Sequence, residues 1–397
     1  MRRGRDGPAI LLDVTRPDGD HGVPSGRVRA RELGVVVGGL PTGPLNAITD
    51  VEGVLVGHTT LDDGADLHTG VTAIVPEQLF ATWRLPAAVE VGNGYGKLVG
   101  STQIDELGVL ESPIVLTGTL SVYRAADALL SYVMRLRPDG LSFNCVAGET
   151  NDGFLSDIRR RPITERHVLD ALEGAASGLP GEGCVGAGTG TTALGFKAGI
   201  GTSSRRLVIE GVPVTAGALV QANFGGVLTV QGVPMPAAEL VPGAGGAEPP
   251  GNSCMIVIAT DAPLDARRLG RLARRAIFAM GRVGASYSNG SGDYAIAFST
   301  APPHRPRSCP TRRSARSSPL SWTPSRKPCS TPSSKPRPPQ DRATPATPSP
   351  TTGSCASAPD LSGWGGPPPS TMSETVSVLT GWRDRSPCVC YEGAEPA

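Results

Sequence analysis

The residues to weigh first are those whose types and spacing could break or make a bond. Val241 to Gly251 reads VPGAGGAEPPG, a Gly/Pro run of the loop-forming kind, and it ends directly at Asn252, Ser253 and the apolar run Cys254 to Ala259. The chain thus passes from linker to strand at a serine. If the Asn252-Ser253 peptide is cut, Ser253 becomes a chain terminus. Its α-amine, with a reference pKa of about 7.7 to 8.0, is then a base for its own hydroxyl near neutral pH. Taken alone, the junction reads more simply as a serine that begins a strand.

Other chemistries are less well served. The loops GNGYGK (Gly92 to Lys97) and GAGTGTT (Gly186 to Thr192) imitate phosphate cradles. Leu98 stands where a P-loop needs Ser or Thr for its metal, and Val91 where it needs its first Gly, so tight turns and close backbone packing explain these glycines better. His58 and His68 flank an acidic loop (Asp62, Asp63, Asp66), more economically a solvated loop than a metal site. A Ser-His-Asp hydrolase needs a nucleophile elbow, and the sequence around Ser291 lacks the first Gly of GxSxG. Cys145, Cys184 and Cys254 sit in apolar or Gly-rich text without CxxC or His partners, as buried free thiols do. The CxC of Cys388 and Cys390 has no second pair nearby.

The elements that must carry such residues are short apolar runs punctuated by Gly. Val71–Val75, Ala87–Val91, Pro113–Leu116, Leu141–Ala147, Leu207–Ile209, Ala218–Ala222, Gly226–Val230, Met255–Ala259 and Tyr294–Phe298 read as strands, most of them buried on both faces. Leu120–Leu136, Glu165–Ala176 and Asp265–Met280 read as helices. The last carries an apolar stripe (Leu269, Leu272, Ala273, Ala276, Ile277, Met280) opposite five arginines. Sheets buried on both faces with intervening helices predict a layered α/β or α+β sandwich.

Composition divides the 397 residues in two. Residues 301 to 370 hold 18 of the 38 prolines and 21 Ser or Thr, but only two of Val, Ile, Leu and Met. Such text cannot bury enough apolar surface to offset its ordering entropy. It carries ten Lys and Arg against two Asp, so the net charge of +1 hides about −7 on the remainder. That excludes a polyanion-binding body, and no stretch approaches the roughly 18 apolar residues of a membrane span. Residues 1–27 are expected to be a flexible leader without a convincing signal peptide, hence a cytoplasmic protein. Residues 28–300 are expected to form the domain and 301–397 a disordered tail.

Eight segments, in order over about 260 residues, resemble the L-aminopeptidase/D-esterase and β-peptidyl aminopeptidase family, peptidase family S58, whose members are self-processing N-terminal-nucleophile serine hydrolases. They are LPTGPLNAITDVEGVLVGHTTL (Leu40 to Leu61), VTAIVP (Val71 to Pro76), VGNGYGKLVGSTQIDELG (Val91 to Gly108), GETND (Gly148 to Asp152), VGAGTGTTALGFKAGIGTSSR (Val185 to Arg205), QANFGG (Gln221 to Gly226), ATDAPL (Ala259 to Leu264) and NGSGDYAIAFST (Asn289 to Thr300). The resemblance implies an α+β fold, an αββα four-layer sandwich, with an α chain ending at Asn252 and a β chain beginning at Ser253. It implies that Ser253 is the nucleophile and that Asn223 contributes its amide to the oxyanion hole. Ser291 and Asp293 would serve the α-amine, and Glu149 would pair with the substrate's free amino group. Phe154 stands where the family often has an aromatic hydroxyl near the oxyanion, and Phe cannot donate. The junction is mixed: Asn before Ser joins features of two branches, one with Gly before the nucleophile and one with Asn before Thr.

The activity so implied is removal of N-terminal residues from small peptides, amides or esters without metal or cofactor, by a homo-oligomer of processed αβ units if the C-terminus is intact, with no nucleic-acid or membrane partner. A self-processing acyltransferase, or a relative that binds amines or peptides without turnover, are the alternatives. The matching segments stop near Ala301, and the Pro/Ser/Arg-rich residues beyond it resemble GC-rich coding sequence read out of frame. With codons ending in G, STPSSKP (Ser330 to Pro336) becomes Asp-Ala-Val-Val-Glu-Ala in another frame, a hypothesis that resequencing across codons 300 to 330 would refute by returning one continuous frame.

Overall fold

The computed structural model describes residues 28–209, 211–241 and 252–302. The leader, most of the Gly/Pro linker and the Pro-rich text expected to be a disordered tail lie outside the described residues.

In chain order the strands are β1 (Val54–Asp62), β2 (His68–Pro76), β3 (Leu85–Gly94), β4 (Leu98–Val99), β5 (Val109–Leu110), β6 (Ile114–Gly118), β7 (Val146–Thr150), β8 (Thr192–Ala193), β9 (Phe196–Lys197), β10 (Ile200–Ile209), β11 (Val212–Asn223), β12 (Thr229–Val230), β13 (Val233–Pro234), β14 (Ser253–Thr260) and β15 (Gly292–Ser299). The helices are α1 (Leu79–Thr82), α2 (Ser101–Leu107), α3 (Val122–Leu136), α4 (Glu165–Glu173), α5 (Ala237–Leu240) and α6 (Ala266–Arg282).

Two mixed sheets form the centre. One has the order β1-β2-β6-β7-β4 and the other β10-β11-β14-β15-β3-β5. Each contains one parallel pair, β6 with β7 and β14 with β15, and the other neighbours are antiparallel. A parallel pair needs a crossover, and here α3 and α6 supply it. The period-2 alternation of the strands then sorts the side chains. Ile74, Ile114 and Leu116 of the first sheet meet Leu219, Met255 and Val257 of the second in one core between the sheets. The opposite faces are covered outside: Val71, Ala73 and Val115 pack with α3 and α4, while Val220, Ile256 and Ala295 pack with α6. This is the four-layer αββα sandwich implied by the resemblance.

Asp265 caps α6 by accepting the Arg268 N–H at 2.8 Å, and the expected stripe is buried. Arg274 reaches back to the sheet edge, donating to both oxygens of Glu90 at 2.8 and 3.1 Å. Asp63 closes the β1–β2 turn by accepting the N–H groups of Ala65 and Leu67, which hold its carboxyl down at about 2.

Two expected strands and one expected buried thiol differ. The strand expected over Leu141–Ala147 begins only at Val146. Asn144 is drawn aside by a 2.9 Å bond to Glu111, and Leu141 is fully exposed. Of Gly226–Val230 only Thr229–Val230 is a strand, because Gly226, at φ +129°, bends away to bridge Ala285. Among the thiols, Cys145 and Cys254 are buried but Cys184 is only half-buried. Among the described residues no helix is long and apolar enough to cross a membrane.

Candidate active site

Register assembles the site at one end of the six-stranded sheet. Ser253 opens β14, an interior strand, and pairs on one side with Asn223, the last residue of β11, and on the other with Gly292, the first of β15. The antiparallel neighbour β3 brings Asn93 opposite Asp293. The ends of four strands, two of them closing and two opening, therefore meet at one place.

Ser253 is buried, and its hydroxyl donates to the carbonyl oxygen of Asn252, the residue just before it, at 2.5 Å. The Gly292 N–H points at the same pair, lying 3.3 Å from Ser253 Oγ and 3.3 Å from the Asn252 carbonyl oxygen. The Asn252 side chain is held by a 3.1 Å bond from its amide to Ser288 Oγ. So the hydroxyl, the peptide before it and a backbone donor stand within hydrogen-bond reach of one another.

Asn223 lies on the inter-sheet face with its amide fixed from two sides. Its Oδ1 accepts the Thr192 N–H at 3.0 Å and its Nδ2 donates to the Asn151 carbonyl at 2.8 Å. Two segments thus orient it: the glycine loop before β8, read from the sequence as a tight turn, and Asn151, the residue that follows β7. The loop is tight for packing reasons, since a Cβ on Gly188 would lie 2.4 Å from the Ile200 nitrogen. Gln221, two residues earlier, ties the sheets together by donating to Thr117 O, Thr150 Oγ1 and Ala187 O.

Ser291 donates to Asp293 Oδ1 at 2.7 Å, both residues being buried. Burial is the main influence on this carboxyl and pushes its pKa up, against the opposing pull of Ser291 and Asn93. Asp293 lies on the α6 side, where a Cβ on Gly92 would touch both its Cβ and Ile277. The parallel register sets it beside Cys254, so it neighbours the backbone of Ser253 rather than its hydroxyl. The Cys254 thiol is itself pushed well up by burial and then by Asp293, which removes it as a rival nucleophile.

Glu149, on β7 of the facing sheet, is buried to 1% exposure, not the exposed carboxylate its composition allows. Its Oε1 accepts the Lys97 backbone N–H at 2.9 Å and lies 3.5 Å from Lys97 Nζ, while Oε2 is buried without a hydrogen-bond partner. Tyr294, whose hydroxyl donates to the Gly96 carbonyl, fixes the same loop. Asp152, also buried, is raised to about 6, first by burial. Phe154 is 59% exposed on the turn after β7.

The two histidines have structural partners. His68 Nδ1 lies 3.0 Å from Asp62 and His58 Nδ1 2.9 Å from Thr72 Oγ1, and among the described residues no group of three His, Cys, Asp or Glu side chains could hold a metal.

Sequence reasoning missed Lys97, Asn93, Asn151 and the Gly292 N–H. Asn93 and Lys97 carried a signal, the GNGYGK loop, and there the chemistry weighed was phosphate binding.

The profile of peptidase family S58 matches residues 46–325, which runs past the last described strand into the Pro-rich text. The β-peptidyl aminopeptidases BapA of Sphingosinicella microcystinivorans and Sphingosinicella xenopeptidilytica are 40% and 42% identical over 296 residues. The matches cover 69% and 68% of this chain and 74% and 73% of theirs. The structure of the L-aminopeptidase D-Ala-esterase/amidase from Ochrobactrum anthropi, a prototype of the serine aminopeptidases with a variant of the Ntn-hydrolase fold, superposes with a TM-score of 0.63. It is 38% identical and covers 72% of this chain and 82% of that one. Fold and sequence similarity cover largely the same stretch, and the chain belongs to peptidase family S58.

Proposed function

We propose that the protein is a self-cleaving aminopeptidase that hydrolyses N-terminal residues from small peptides, amides or esters, with Ser253 as nucleophile. The observation that carries this reading is the 2.5 Å contact between Ser253 Oγ and the carbonyl oxygen of its own preceding peptide, with the Gly292 N–H beside both. In the first step Ser253 Oγ adds to the Asn252 carbonyl carbon, the C–N bond breaks, and the acyl group moves from nitrogen to oxygen. Water then cleaves the ester, freeing the Asn252 carboxylate and the Ser253 amine.

In turnover that amine takes the hydroxyl proton as Ser253 attacks the substrate carbonyl, then returns it to the leaving amine or alcohol. Asn223 Nδ2 and backbone N–H groups would hold the oxyanion. Asp293, supported by Ser291, would orient the amine and favour its charged form, and Glu149 would receive the substrate's ammonium. Water then releases the acyl group, so the cycle needs no metal or cofactor. The names of the two BapA relatives and of the Ochrobactrum enzyme support this substrate class.

A denaturing gel tests the reading: wild type gives two bands and Ser253→Ala a single uncut one. One uncut band from well-folded wild type would sink it.

A further inference from the structure

Glu149 presents an unusual balance. Its side chain is 1% exposed, yet one of its two oxygens, Oε2, has no hydrogen-bond partner. A buried carboxylate oxygen left unpaired is costly, so it marks a place kept for a donor. The other oxygen is served by the Lys97 backbone N–H at 2.9 Å and faces the Lys97 ammonium at 3.5 Å. That ammonium is not buried with its partner: the Lys97 side chain is 36% exposed, and Nζ is steadied by Thr119 Oγ1 at 3.0 Å.

We infer that Lys97 is a specificity-determining residue, an internal ammonium that occupies the field of Glu149 in the free enzyme and with which the substrate's own ammonium must compete. This rests on the reading of Glu149 as the amine acceptor. Both effects of Lys97 act in one direction, because it neutralises Glu149 and repels an incoming cation. It therefore weakens binding of every substrate with a free amino group and leaves amine-free substrates nearly untouched. The Lys97 ammonium, not a bound group, sets how strongly the enzyme discriminates by charge.

The experiment measures steady-state kinetics of the processed enzyme with L-alanyl, D-alanyl and β-alanyl 4-nitroanilides, and with propionyl 4-nitroanilide, which lacks the amine. Lys97→Met keeps the stem and the backbone N–H to Glu149 but removes the charge. The expected result is a KM lower by about tenfold for whichever alanyl compounds are turned over, equivalent to about 1.4 kcal/mol. Neither kcat nor the propionyl KM should change appreciably, and Lys97→Arg should restore the wild-type KM. A KM that is unchanged or raised in Lys97→Met overturns the inference, a rise meaning that the lysine attracts substrate instead. Lys97→Gln, which can still meet Thr119, is the second variant, and if neither folds the ion pair is structural and the inference falls. Glu149→Gln separates the two readings. If it leaves the preference for a free amine intact, Glu149 is not the acceptor. If it abolishes that preference while Lys97→Met changes nothing, only the role of Lys97 is wrong.

Discussion

Asn223 shows what one side chain does in two capacities. It binds the Thr192 N–H and the Asn151 carbonyl, and it presents a fixed amide beside Ser253. Asn223→Ala is expected to lower kcat by about 100-fold or more, the size of a lost oxyanion donor, with a much smaller change in KM. A loss confined to KM would assign Asn223 to binding. His58 makes a separate prediction about stability. Burial lowers its pKa from 6.5 to about 4, since Nε2 is enclosed without a partner. The unfolded chain therefore binds the proton first, so stability falls as pH drops from about 6.5 to about 4, by at most about 3.4 kcal/mol. Urea melts of wild type and His58→Gln across this range check it, the variant having the flatter profile. At this scale Asn223, Ser291 and Asp293 were legible as candidates because each sits in a dense, ordered motif, and Ser253 because it stands where the Gly/Pro linker meets a strand. Lys97 and Asn93 were not, because their importance comes from partners that only the pairing of β3 with β15, and of β4 with β7, brings near.

Elements were legible where periodicity was strong and illegible where burial alternated weakly. The stripe of α6 and the continuous apolar run of β14 could be read directly. β1 was missed because VLVGHTTLD breaks its apolar run with Gly, His and two Thr and buries only Val54, Val56 and Gly57, and α2 because STQIDEL offers one fully buried residue, Ile104. The glycine loop before β8 is the element on which the site leans most. Gly188→Ala would place a carbon 2.4 Å from the Ile200 nitrogen and 2.8 Å from the Gly199 Cα, backbone atoms that cannot step aside. The expected cost is about 1 to 3 kcal/mol of stability, read by thermal melting. The turn also delivers the Thr192 N–H to Asn223, so kcat should fall in the same variant. An unaltered melting curve would show that the loop accommodates the methyl group.

For the whole molecule, average composition concealed the organisation. A net charge of +1 and 38 prolines describe neither the acidic, Gly-rich body nor the basic text beyond it. Intact-mass spectrometry of the purified protein tests both the cut and the frame: two chains, the second starting at Ser253, are expected from the proposed function. The strand order adds a mechanical consequence. β14 and β15 form a wedge driven between β11 and β3, with α6 riding on its back. A break at Asn252-Ser253 would make that wedge a separate polypeptide, gripped along both flanks by eight-residue and seven-residue registers with the first chain. The nick would then be invisible to gel filtration without denaturant. The two halves, made from separate genes in one cell, should click together as a split enzyme whose second half already carries its amine.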